Sequence, residues 1–180
     1  MTTYVAFLRG INVGGNNLIK MAELQAALSD ANLHDVKTYI QSGNVVFSSA
    51  NHNKAKLAEN IKVTILKRFQ VACDVIVFSK EEWQDVIRSA PPWWGHDKTW
   101  KHNILIMTGP HVMEEVVTTI GELKPDIEEL KPGHGVLYQS MSFSSFGRTT
   151  AGKLAANPIY KKMTVRNFNT ATKLLSFMEK

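Results

Sequence analysis

The stretch Tyr4-Val5-Ala6-Phe7-Leu8-Arg9-Gly10-Ile11-Asn12-Val13-Gly14-Gly15-Asn16-Asn17 leads into the run Met21-Ala22-Glu23-Leu24-Gln25-Ala26-Ala27-Leu28. An apolar run, a polar loop with three glycines and three asparagines, and apolar residues at helical spacing predict strand, loop and helix in that order. The helix extends over 21–30. Working outward, Val36–Ile40 and Val45–Phe47 read as strands joined through Gln41-Ser42-Gly43-Asn44, a hairpin signal. Lys54–Phe69 carries Leu57, Ile61, Ile65 and Leu66 on one helical face, and Cys73–Phe78 is a fourth strand. The sum is β-α-β-β-α-β, the ferredoxin-like form of an α+β fold, with a four-stranded antiparallel sheet backed by two helices.

Beyond it, residues 80–90 read as a short helix with Ser79 as N-cap and Glu82 at the capping-box position, stopped by Pro91-Pro92. Residues 93–102, rich in Trp and His, read as an irregular connection. Asn103–Met107 is a strand and His111–Ile120 a helix. Ile127–Leu130 and Val136–Gln139 form a hairpin around Pro132-Gly133-His134-Gly135. A polar loop (Ser140–Thr150), a short helix ended by Asn157-Pro158 and a last helix from Arg166 to Met178 complete the chain. This is a degenerate second α+β half, β-α-β-β-α with an altered ending. The expected division is 1–90 and 91–180, with one compact domain as the alternative.

The 180 residues are 44% hydrophobic and 21% charged, an ordinary globular composition. No apolar run approaches the roughly 20 residues of a membrane span. The N-terminus lacks a basic n-region and a small-residue cleavage site, and one cysteine, Cys73, suits a reducing compartment; the cytoplasm is the expected location. Cys73 lies in an apolar run and reads as a core thiol. Net charge is +5, yet residues 131–180 hold eight Lys/Arg against Glu179 alone, +7, leaving −2 for the first 130. The basic C-terminal quarter suggests an anionic partner. The six histidines show no paired metal-ligand spacing, so no metal and no cofactor is expected. No Ser-His-Asp set or carboxylate pair stands out, so no enzymatic assignment is made. The oligomeric state is not legible.

The glycine loop could bring backbone N–H groups to an anion, but it matches neither the P-loop nor the dinucleotide fingerprint. Its plain structural alternative is a tight connection in which the glycines answer sterics. Gln41-Ser42-Gly43-Asn44 offers amides and a hydroxyl, and equally reads as a turn. On a helical wheel Arg166, Asn169 and Lys173 share one face opposite Phe168, Ala171, Leu174, Leu175 and Met178. That face could hold a phosphate or carboxylate, or simply meet solvent. Trp93, Trp94 and Trp100, with His96 and His102, could stack on an aromatic ligand; filling a seam between subdomains is the favoured reading. Ser42–Ser48 carries a glycine and one aromatic but not the remainder of an RNA-binding strand pattern.

Tyr4–Leu28 (YVAFLRGINVGGNNLIKMAELQAAL), Thr38–Phe47 (TYIQSGNVVF) and Thr164–Leu175 (TVRNFNTATKLL) closely resemble a bacterial family of uncharacterised proteins, domain of unknown function (DUF) sixteen ninety-seven. The likeness covers essentially the full length. It implies an α+β fold with two subdomains and no established activity, substrate or cofactor. Asn16 stands where the family often has Lys, Lys20 where it often has Pro, and Phe168 where Trp is common.

The leading expectation is one site for a small anionic or polar ligand, bearing phosphate or carboxylate, formed by the loop, the turn and the last helix. Arg9, Arg166 and Lys173 would supply charge. Asn12, Gln41, Ser42, Asn44 and Asn169 would supply hydrogen bonds, and Gly10, Gly14 and Gly15 close backbone approach. The alternatives are a nucleic-acid-binding module using the basic C-terminal surface, and motifs that are purely structural.

Overall fold

The computed structural model describes residues 1–109, 112–150 and 154–179. Its first strands and helices are β1 (Thr2–Arg9), α1 (Met21–Asp30), β2 (His34–Tyr39), β3 (Asn44–Ser49), α2 (Lys54–Phe69) and β4 (Asp74–Ser79). They form an antiparallel sheet in the order β2-β3-β1-β4, with Tyr4 opposite Phe47 on one side and Ser79 on the other. This is the expected ferredoxin-like arrangement. Tyr4 to Leu8 are all buried because β1 is central and covered on both faces. Tyr4, Ala6 and Leu8 belong to a cluster with Leu24 and Leu28 of α1 and Leu57, Ile61 and Ile65 of α2. On the other face Phe7 meets Trp83, ring centroids 4.8 Å apart, beside Phe78.

Trp83 lies on α3 (Lys80–Arg88), whose start is a complete capping box. Glu82 N donates to Ser79 Oγ at 3.2 Å, and Ser79 N donates to Glu82 Oε2 at 2.9 Å. At α2, Asn53 caps the N-terminus by accepting from Lys56 N, while Gln70 at φ +58 ends the helix in a left-handed turn.

The second sheet contains β5 (Trp100–Met107), β6 (Glu128–Pro132), β7 (Val136–Ser142) and β8 (Met163–Asn167), ordered β6-β7-β5-β8. Between β5 and β6 runs α4 (Val112–Ile120), and α5 (Phe168–Met178) follows β8. The order repeats that of the first sheet. Leu105, Met107, Val116, Ile120, Leu137, Ile159 and Met163 form part of its core.

The structure departs from the sequence-based expectations at several elements. Trp100–His102 are not irregular but open β5, paired with Ser140–Ser142 of β7. Ser140–Ser142 are strand, and Phe143–Arg148 is a 3-10 helix rather than a loop. Further 3-10 turns occupy Leu154–Ala156 and Pro158–Lys162. The start of the expected helix at His111, and the segment 151–153, lie outside the described residues. Residues 163–167 form β8, so the last helix begins at Phe168 and not at Arg166. Arg166 sits opposite Ile104 in the sheet, and Asn167 Oδ1 caps α5 by accepting from Thr170 N at 2.8 Å.

The chain divides into two compact units, Met1–Gln84 with Lys173–Lys180, and Asp85–Thr172. The expected boundary at 90 did not assign the chain end to the first unit. Within that unit Phe177 packs edge-on against Tyr39 at 5.2 Å between centroids. In the second unit Trp94 donates from Nε1 to Asn103 O at 2.7 Å and lies 4.8 Å from the Phe168 ring centroid. A Cβ on Gly95, at φ +87, would come within 2.2 Å of that ring, so the close packing of Phe168 requires glycine there.

Candidate functional site

The glycine loop is a small hairpin. Asn12 N donates to Asn17 O at 3.0 Å and Asn16 N to Val13 O at 2.9 Å. Gly14 and Gly15, at φ +57 and +80, are the two left-handed central residues that such a tight turn demands. Nothing lies within 4 Å of a Cβ built on either, so their need for glycine comes from the backbone alone. Ile11 and Ile19, both buried, root the finger, while Gly14 to Leu18 are exposed.

Asparagine side chains hold the finger in shape. Asn12 Oδ1 accepts from Ile19 N at 2.7 Å, and its Nδ2 donates to Ile19 O at 3.1 Å and to Gln41 O at 2.9 Å. Asn17 Nδ2 donates to Gly10 O at 2.8 Å. Asn12, at φ +52, thus ties the loop to the β2–β3 turn. The wealth of asparagine in the sequence signalled this, but Asn17 was not among the expected site residues.

The turn is equally fixed. Asn44, fully buried, donates to Tyr39 O at 2.9 Å and Ser42 Oγ at 3.0 Å. Leu8 N donates to Gly43 O at 2.7 Å, a close approach that leaves no space for a side chain on Gly43. Ile40 takes φ +49, a conformation that β-branched residues avoid, and stays half exposed. Gln41 and Ser42 are exposed beside it.

Arg9, Gly10, Asn12, Gly14, Gly15, Gln41, Ser42, Asn44 and Lys173 all belong to the first unit; Arg166 and Asn169 belong to the second. Arg9 is ion-paired with Asp74 at 3.7 Å. Lys173 is exposed, its Nζ 5.6 Å from the centroid of Phe177, the ring that packs on Tyr39 at the edge of the turn. Arg166 is buried, with Nη1 donating to Thr164 Oγ1 at 2.7 Å and Val165 O at 2.8 Å. Burial pulls its pKa down to about 10. Because Arg166 lies on a strand, it does not share a helical face with Asn169 and Lys173. Asn169 is exposed in the first turn of α5.

Two comparisons with known proteins bear on this chain. The model of a family described as proteins of unknown function, DUF1697, matches residues 1–138. A solved structure of the conserved bacterial protein SP0830 from Streptococcus pneumoniae is 30% identical, covers 98% of each chain and superposes with a TM-score of 0.87. No curated protein matches the sequence.

Proposed function

The chain belongs to the DUF1697 family of proteins of unknown function, and from that premise we propose that it binds a small anionic or polar ligand at the glycine finger of its first unit. The observation that carries this reading is the Asn12 carboxamide, which joins finger and turn through Ile19 and Gln41, with Asn16 exposed on the one and Gln41 and Ser42 on the other beside exposed Val13, Leu18 and Ile40. Such a surface is ordered before a ligand arrives, so little entropy is lost on binding. Lys173 supplies a nearby exposed cation on the Phe177–Tyr39 pair, and the strained Ile40 marks the adjoining turn. Gln41, Ser42 and Asn16 offer neutral hydrogen bonds, with Arg9 adding charge at the base of the finger.

The test is a thermal-shift screen against inorganic phosphate, nucleoside monophosphates, sugar phosphates and dicarboxylates. A ligand at ten times its Kd raises Tm by about 3–5 °C in a chain of this size. Lys173→Ala should remove the shift with the unliganded Tm almost unchanged. A screen without a shift, or a shift insensitive to Lys173→Ala, counts against the reading.

The structural reading has support of its own, because Asn12, Asn17 and Asn44 direct their amides to main-chain groups. It expects Asn12→Ala to lower Tm and Lys173→Ala to change nothing with any ligand.

A further inference from the structure

The second unit contains a cleft of about 530 Å³ lined by Trp93, His96, Asp97, Trp100, His102 and Glu129 together with two prolines. Its walls follow from strand register. Alternation along β5 puts Trp100 and His102 on one face and Lys101 on the other, where Lys101 Nζ lies 5.1 Å from the Phe146 ring centroid. His102 pairs with Ser140 of β7, and Ser140 with Glu129 of β6, so Glu129, Ser140 and His102 form one cross-strand row. The imidazole is clamped: Nε2 lies 2.7 Å from Asp97 O and Nδ1 2.6 Å from Ser140 Oγ. A carbonyl only accepts, so Nε2 carries a proton, and in the neutral ring Nδ1 accepts from the serine hydroxyl.

Of the adjacent Trp93-Trp94 pair, Trp94 is buried in the core while Trp93 stays partly exposed at the cleft, as does Trp100. Asp97 Oδ1 accepts from Thr99 Oγ1 at 2.7 Å and Thr99 N at 2.8 Å, which fixes its loop. Those two bonds, with the nearby His102 and His96, hold the Asp97 carboxyl below its usual pKa. Among the described lining residues there are two carboxylates, no lysine or arginine, and two histidines, so the cleft is net negative when the imidazoles are neutral.

We propose that this cleft binds a small organic cation, an ammonium or quaternary ammonium group on an alkyl or aryl body, against the Trp93 and Trp100 indoles with Asp97 and Glu129 at the rim. Indole faces attract cations through their quadrupole, and two carboxylates reinforce that preference while repelling phosphates. The volume falls within the roughly 300–1,000 Å³ of small-molecule sites. The residues are distinct from those of the glycine finger, so this site stands or falls separately.

The full chain is titrated by calorimetry with choline and benzyltrimethylammonium, and with 3,3-dimethylbutan-1-ol as the uncharged isostere of choline. Both cations should bind saturably, and the alcohol at least about tenfold more weakly. Trp100→Ala should weaken the cations by about tenfold, Glu129→Gln by several-fold, and Lys101→Ala, on the opposite face, not at all. Circular dichroism checks each variant for folding. If Trp100→Ala does not fold, Glu129→Gln at the rim decides. The proposal is overturned if neither cation saturates by about 20 mM, if the alcohol binds equally well, or if folded Glu129→Gln retains full affinity.

Discussion

At Gly43 a methyl group would meet Leu8 Cβ at 2.8 Å and Leu8 O at 3.1 Å, on a backbone at φ +76. Both the contact and the conformation oppose a side chain, so Gly43→Ala should lower stability by about 2–4 kcal/mol in denaturant titration. Gly14→Ala meets open space and bears only the left-handed penalty, about 1–2 kcal/mol. Equal effects at the two positions would contradict this distinction. Asn12→Ala removes three hydrogen bonds to main-chain groups and should cost about 1–3 kcal/mol. Cys73 adds a pH dependence. Burial, with help from the Asp74 charge, raises its thiol pKa from 9.0 to about 11. The folded state therefore holds that proton more tightly than the unfolded one, and stability present below pH 9 should fall as pH rises from 9 to 11. Tyr138, pushed up from 10.0 to about 12 by burial, adds to the same alkaline loss. Denaturation midpoints measured from pH 8 to 11, with Cys73→Ala for comparison, check the sign; a flat profile in both proteins would refute it.

Among the elements, α3 rests on a reciprocal pair of bonds between Ser79 and Glu82. Ser79→Ala should destabilise by about 1 kcal/mol, read as a shift in denaturation midpoint. That helix was legible from its capping box and its Pro91-Pro92 stop, and α1 and α2 from apolar spacing, although α1 has no side-chain N-cap bond. β8 was not. Its Arg166-Asn167 end is polar, and on a helical wheel Arg166 falls with Asn169 and Lys173 opposite the apolar stripe of α5, so helix periodicity absorbed residues whose strand state comes from pairing with β5. The opening of β5 was hidden for a related reason. Trp100–Asn103 pair with the polar run Gln139–Ser142, and Asn103 Nδ2 donates to Gln139 Oε1 at 3.0 Å, so buried polar groups satisfy one another where an apolar alternation would have been visible. The finger and turn were legible as polar clusters. Their connection through Asn12 was not, since it joins positions 12 and 41 through side-chain geometry. Placing Arg166 on a helix face was the resulting error at the site.

Across the molecule, two sheets of the same strand order carry different surroundings. The first is followed by the full helix α2 before its last strand; the second has 3-10 turns among the described residues of the corresponding crossover. No described helix is long and apolar enough to cross a membrane. The basic C-terminal quarter is also less available than its charge implies, because Arg166 is buried and Lys162 is paired with Glu115 at 2.7 Å. Binding to a duplex of about 20 base pairs should accordingly be weak, with a slope of log K against log salt shallower than about −3. A steeper slope would favour the nucleic-acid alternative. The ligand claim is tested most directly by amide chemical shifts of the uniformly labelled protein during titration with inorganic phosphate and with whichever compound gives the largest thermal shift. Binding at the finger predicts saturable shifts concentrated in Gly10–Asn17, Gln41–Asn44 and the residues around Lys173, lost in Lys173→Ala. Saturable shifts elsewhere that leave the finger unmoved, or none by about 10 mM, would contradict it.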